Sequence, residues 1–132
     1  MKDLFLPYQQ SLELRELGFD EICLTHYWGE NILNEAYGGW MKNSNTKYVM
    51  APTWEQAFKW LRENYDWQHS IEPTADQHSH KLGYNYWIWN YKTGEEYHSM
   101  PKNRPSGDWV YETYEKAQLT CLNEIIKLIK TK

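Results

Sequence analysis

Two histidines one residue apart, His78 and His80, with Asp76 close by, are the residues here that could gather a metal ion, with His26, His69 or His98 completing the set. No HExxH or CxxC spacing accompanies them, and a polar stretch that holds histidines in solvent explains them equally. Nucleophilic chemistry has less to work with. There is no GxSxG, and Cys121 falls in the apolar stripe of a helical pattern, where a thiol is inert. Glu95-Glu96 beside a turn reads as a solvated strand edge rather than an acid–base pair. No phosphate-loop or dinucleotide fingerprint occurs. The expectation is a protein that is not an enzyme and carries no metal or cofactor.

Binding chemistry is better represented. Trp40 and Lys42 stand with Ser44 and Lys47 in one glycine- and amide-rich stretch; Lys102, Arg104, Ser106 and Trp109 form another. Cations and hydroxyls hold phosphate, and indoles stack on planar rings. Ordinary surface loops pinned by a tryptophan have the same composition. Between these stretches in sequence lies Tyr84–His98, YNYWIWNYKTGEEYH, which the period-2 pattern predicts as a hairpin turning at Lys92-Thr93-Gly94. Tyr84, Tyr86 and Ile88 share one face, and Trp87, Trp89 and Tyr91 share the other. A strand with one solvated face alternates apolar and polar residues, so both of these faces need a partner. Periodicity does not say which of them a helix covers; we favour the indoles as the uncovered side. The candidate ligand-binding residues are Trp87, Trp89, Tyr91, Trp109, Arg104, Lys102, Trp40 and Lys42.

The elements that position these residues follow from capping and periodicity. Pro7 opens a helix that Gly18 ends, and Glu21–Trp28 alternates as a strand. Ile32–Tyr37 and Tyr48–Met50 read as further strands. Thr53-Trp54-Glu55-Gln56 is a capping box that starts a helix with Trp54, Ala57, Phe58, Leu61 and Tyr65 inward. His69–Glu72 reads as a short strand before a polar loop, Pro73–Lys81. Thr113 caps the last helix, whose stripe is Tyr114, Ala117, Cys121, Leu122, Ile125, Leu128 and Ile129. The sum is one α+β domain, 1–132: an antiparallel sheet with two or three helices packed on one face.

Composition bounds the partners. Of 132 residues, 17% are aromatic, and eight Trp and eleven Tyr outnumber three Phe, a bias toward rings with a polar handle. A net charge of −4 argues against general nucleic-acid binding by counterion release. The two cysteines, Cys23 and Cys121, sit in apolar patterns and are expected as buried free thiols. No run is long enough to span a membrane and the start is unlike a signal peptide, so a cytoplasmic protein is expected.

Three blocks, Leu6-Pro7-Tyr8-Gln9-Gln10 with Glu16–Asp20, Ala51-Pro52-Thr53-Trp54-Glu55-Gln56-Ala57-Phe58-Lys59-Trp60-Leu61-Arg62, and Tyr111–Ala117, give the chain a resemblance. It is similar to a group of small phage- and prophage-borne proteins of Bacteroidales-type bacteria. The resemblance implies a phage accessory protein acting in the host cytoplasm and assigns no residue a role. With it, the residues lead to a binding protein that sequesters a small planar anionic ligand, such as a nucleotide-like immune signal. The alternatives are an inhibitor that docks its aromatic face on a host defence protein, and a metal-dependent hydrolase through His78 and His80. Self-association is left open.

Overall fold

The computed structural model describes residues 4–27, 48–75, 80–99 and 110–131. The expected strand Ile32–Tyr37 and the loop residues 38–47 and 100–109 lie outside them. Among the described residues, three helices and two antiparallel sheets make the fold α+β. The chain divides into two compact units, Met1–Trp60 and Leu61–Lys132.

In the first unit, α1 (Tyr8–Glu16) starts behind Pro7 and ends at Leu17. Phe19 N–H reaches Leu14 C=O and Gly18 N–H reaches Arg15 C=O, both at 3.0 Å, which is the Schellman closure. Phe19 and Leu14 are both buried, the apolar contact that accompanies it. Gly18 sits at φ +105, and a Cβ there would meet nothing within 4 Å. Any penalty for a side chain is therefore backbone strain alone. Gly18→Ala should cost about 1–2 kcal/mol in urea unfolding, with the unfolding slope unchanged.

The short ribbon of β1 (Thr25–Tyr27) and β2 (Val49–Ala51) pairs His26 with Met50, and α1 packs on β2. Tyr27, Val49 and Ala51 form a small core closed by Phe5, Tyr8 and Leu12. The Tyr27 hydroxyl donates to Leu6 C=O at 2.6 Å, and its ring meets Tyr8 edge-on at 5.5 Å. Cys23, Thr25, His26 and Tyr27 are buried, whereas Ile22 and Leu24 are exposed. The strand expected over Glu21–Trp28 is regular only at Thr25–Tyr27.

Helix α2 (Trp54–Tyr65) begins as expected, with Gln56 N–H donating to Thr53 Oγ1 at 3.1 Å. The reciprocal half of the capping box is not made. Gln56 Nε2 donates instead to Ile22 C=O at 3.0 Å, tying the helix start to the chain before β1. Ala57, Phe58 and Leu61 are buried as expected. Trp60 is buried too, edge-on to Phe19 at 5.4 Å.

The second unit is built on a three-stranded sheet in the order β3 (Trp67–Ala75), β4 (Leu82–Asn90), β5 (Glu96–His98). The aromatic strand is therefore the centre of its sheet. Strand β3 runs well past the expected His69–Glu72, pairing Trp67 with Asn90 through Ala75 with Leu82. Pro73, expected in a loop, lies opposite Tyr84. An edge strand tolerates it, because the missing N–H can be the one that faces outward.

Helix α3 (Tyr114–Lys130) packs on β3 and β4. Thr113 Oγ1 accepts from Lys116 N–H at 3.1 Å, the expected cap. Ala117, Cys121, Leu122 and Ile125 are buried as the stripe predicts. Ile126 joins them, while Leu128 and Ile129 are part-exposed and Tyr114 is exposed. Tyr114 instead meets the Tyr84 ring edge-on at 5.8 Å, which sets the inward face slightly off the expected line. Among the described residues no helix is long and apolar enough to cross a membrane.

Candidate functional site

Strand register decides which side chains share a surface, because directly opposed residues in an antiparallel pair point the same way. One face of the central sheet carries Tyr84, Tyr86, Ile88 and Asn90 of β4, with Trp67 and His69 opposite them on β3. Helix α3 covers this side. Ile88 is fully buried, and Tyr86 stacks on Tyr111 at 6.0 Å. Burial first, then the nearby Tyr111, Glu124 and Cys121, hold the Tyr86 phenol well above its ordinary range. Asn90 closes the turn: its Oδ1 accepts from Lys92 N–H and Thr93 N–H, and Gly94, at φ +79, returns its N–H to Asn90 C=O.

The other face carries the indoles. Its rows, read across β3, β4 and β5, are Gln68–Trp89–Glu96 and Ser70–Trp87–His98, with Glu72 opposite Asn85 in the next. Trp87 is the central ring. Trp89 stands 4.4 Å from it along the strand, tilted 34°, and His98 lies 5.2 Å away across it, nearly parallel at 13°. Both indoles, Gln68 and Ser70 are part-exposed, and Glu72, Glu96 and His98 are exposed. The Trp87 Nε1 is enclosed and has no hydrogen-bond partner among the described residues. A buried donor left that way costs about 1–3 kcal/mol.

Of the residues singled out from sequence, Trp87 and Trp89 are brought together. Tyr91 is placed past the end of β4, 63% exposed, with its hydroxyl donating to Asp66 Oδ1 at 3.1 Å. Trp40, Lys42, Lys102, Arg104 and Trp109 lie outside the described residues, as do Asp76 and His78. The chain matches no family model, no curated protein and no solved structure. Its function is therefore argued from the face itself.

Three features of that face did not follow from the sequence pattern. His98 stacks on Trp87, and Glu72 and Glu96 flank the indoles; only strand register brings them there. Asn85 is the third. Buried beside Trp87, it donates to Thr74 Oγ1 at 3.5 Å, and its Oδ1 accepts from Ser99 Oγ at 3.4 Å and Val110 N–H at 3.0 Å. The two residues bracketing 100–109 are thus tied to one carboxamide. The thiols offer no nucleophile here, since burial pushes both Cys23 and Cys121 up to about 12.

Proposed function

We propose that the chain is a non-enzymatic docking protein that seats the Trp87–Trp89–His98 face on a protein partner. In the phage-borne setting that the resemblance implies, the partner is a host defence protein. The observation that carries this reading is a part-exposed indole pair at the centre of a sheet, bordered by Glu72 and Glu96. Such a patch has the make-up of an interaction hot spot: rigid aromatic rings ringed by polar groups that exclude water on docking.

A second reading, sequestration of a small planar anionic ligand, is favoured by Asn85. Ser99 and Val110, the described residues on either side of Lys102, Arg104 and Trp109 in sequence, both bond its Oδ1 next to Trp87. The cations would then hold a phosphate while an indole stacks on a base.

Affinity purification from infected cells separates the two. Docking predicts one co-purifying protein, lost by at least about tenfold with Trp89→Ala and kept with Glu115→Ala on the exposed start of α3. The melting temperature of both variants should stay near that of the parent. Release of a nucleotide on denaturation, with no protein captured, would favour sequestration instead. Unfolding of Trp89→Ala would place that ring in the core and remove the main support for both.

A further inference from the structure

We infer that the group this face seats is a guanidinium, the side chain of an arginine on the partner; the inference rests on the docking reading and names its chemistry. No lysine or arginine stands in β3, β4 or β5. Their carboxylates are Glu72 and Glu96, and register puts both on the indole side. Glu96 is directly opposite Trp89. Glu72 is one step along from Ser70, the residue opposite Trp87, and Glu96 one step along from His98 on the other strand. Diagonal neighbours of this kind lie about 7–8 Å apart, within reach of long side chains. Trp87 therefore has an exposed carboxylate diagonal to it on each side. Lys92, just past β4, is paired with Asp66 at 3.4 Å.

That arrangement selects by charge and by shape. A phosphate or carboxylate laid on the indoles would face two like charges. A neutral ring would stack but leave both carboxylates unused, and an aliphatic group would strip water from them without return. An ammonium is compact and strongly hydrated, and it pairs as a point charge. A guanidinium is planar and weakly hydrated, so it stacks on an indole while its edge donates to a carboxylate. Glu96 is placed to receive it. Its contact with His98 is long, 3.9 Å, and both side chains are half exposed, so exchanging that contact for an arginine costs little.

The test uses the full chain, its indole N–H resonances, and four probes: blocked Gly-Arg-Gly, its lysine and citrulline counterparts, and adenosine monophosphate. Trp87→Phe and Trp89→Phe assign the resonances. The arginine peptide should move the Trp89 signal and bind at least about threefold tighter than the lysine peptide, because only the guanidinium stacks on the indole and donates in its own plane to the carboxylate. Citrulline, uncharged, should not move it. Glu96→Gln, isosteric and exposed, should weaken the arginine peptide by about threefold, since it removes the charge while keeping the shape. Equal binding of lysine, no effect of Glu96→Gln, no shift with arginine, or a stronger shift with adenosine monophosphate would each overturn the guanidinium. Captured partner that is lost with Trp89→Ala yet unaffected by Glu96→Gln would overturn it while leaving docking in place. Capture unchanged by both variants would overturn docking itself.

Discussion

Leu122→Ala should lower the unfolding free energy by about 2–5 kcal/mol, among the largest effects of any single truncation in the C-terminal unit. Leu122 is fully inaccessible, on the side of α3 that also buries Cys121, Ile125 and Ile126, and α3 packs on β3 and β4. Removing the isobutyl group forfeits its transfer from water and leaves a void that a helix fixed on a three-stranded sheet cannot fully close. The spread in cost reflects how far the walls relax. Leu128, on the same helix but part-exposed, should lose markedly less on the same change. Urea unfolding of both variants checks this, with the slope of each transition unchanged. A loss below about 0.5 kcal/mol for Leu122→Ala would mean that α3 presents a different face to the sheet.

The parts of the fold that were legible in the sequence are those set by local rules. Gly94 allowed the turn, Thr53 and Thr113 offered a side-chain oxygen to the third residue on, and Gly18 ended α1, because each depends on a few adjacent residues. Two aromatic faces on β4 were equally plain from the period of two. Which face a helix would cover was not, since both are made of rings and periodicity carries no sign. The answer lies in α3, whose Tyr114 meets Tyr84 and whose Cys121 and Glu124 lie near Tyr86.

Elsewhere tertiary context overruled the pattern. Ile22 and Leu24 alternate as inward residues should, yet both are exposed, whereas Thr25, His26 and Tyr27 are buried on both sides of β1. Gln56 was positioned to complete a capping box and found the Ile22 carbonyl instead. Strand β3 was legible only in part. The pattern marked His69–Glu72 as strand and gave Pro73 to a loop, but pairing runs from Trp67 to Ala75, through a proline that an edge strand tolerates. The acidic border of the indole face stayed concealed, because Glu72 reaches Trp87's side only through its register with β4. The charge of the candidate site was thus the least legible property of the chain. Sequence neighbours supplied cations, whereas register supplies carboxylates.

His69 should make the protein less stable in mild acid by about 2 kcal/mol between pH 7.5 and pH 5. Register places it opposite Ile88 on the α3 side of the sheet, with Nδ1 enclosed. Burial, helped by the charge of Arg62, lowers its pKa from 6.5 to about 4. The folded state therefore resists a proton that the unfolded chain accepts. Stability from the neutral ring is complete above the unfolded value of about 6.5, falls as pH drops toward about 4, and levels off below it, at no more than about 1.4 kcal/mol per pH unit. Burial also lowers the pKa of His26, so its contribution has the same sign and the two add. Urea unfolding of the parent and of His69→Gln at both pH values isolates the His69 share. The variant should start less stable at pH 7.5, because it disturbs a part-buried ring, and then lose about 2 kcal/mol less than the parent on acidification, keeping the slope due to His26. An identical loss in parent and variant would show that His69 takes up its proton as readily folded as unfolded, and would open the α3 side of the sheet to water.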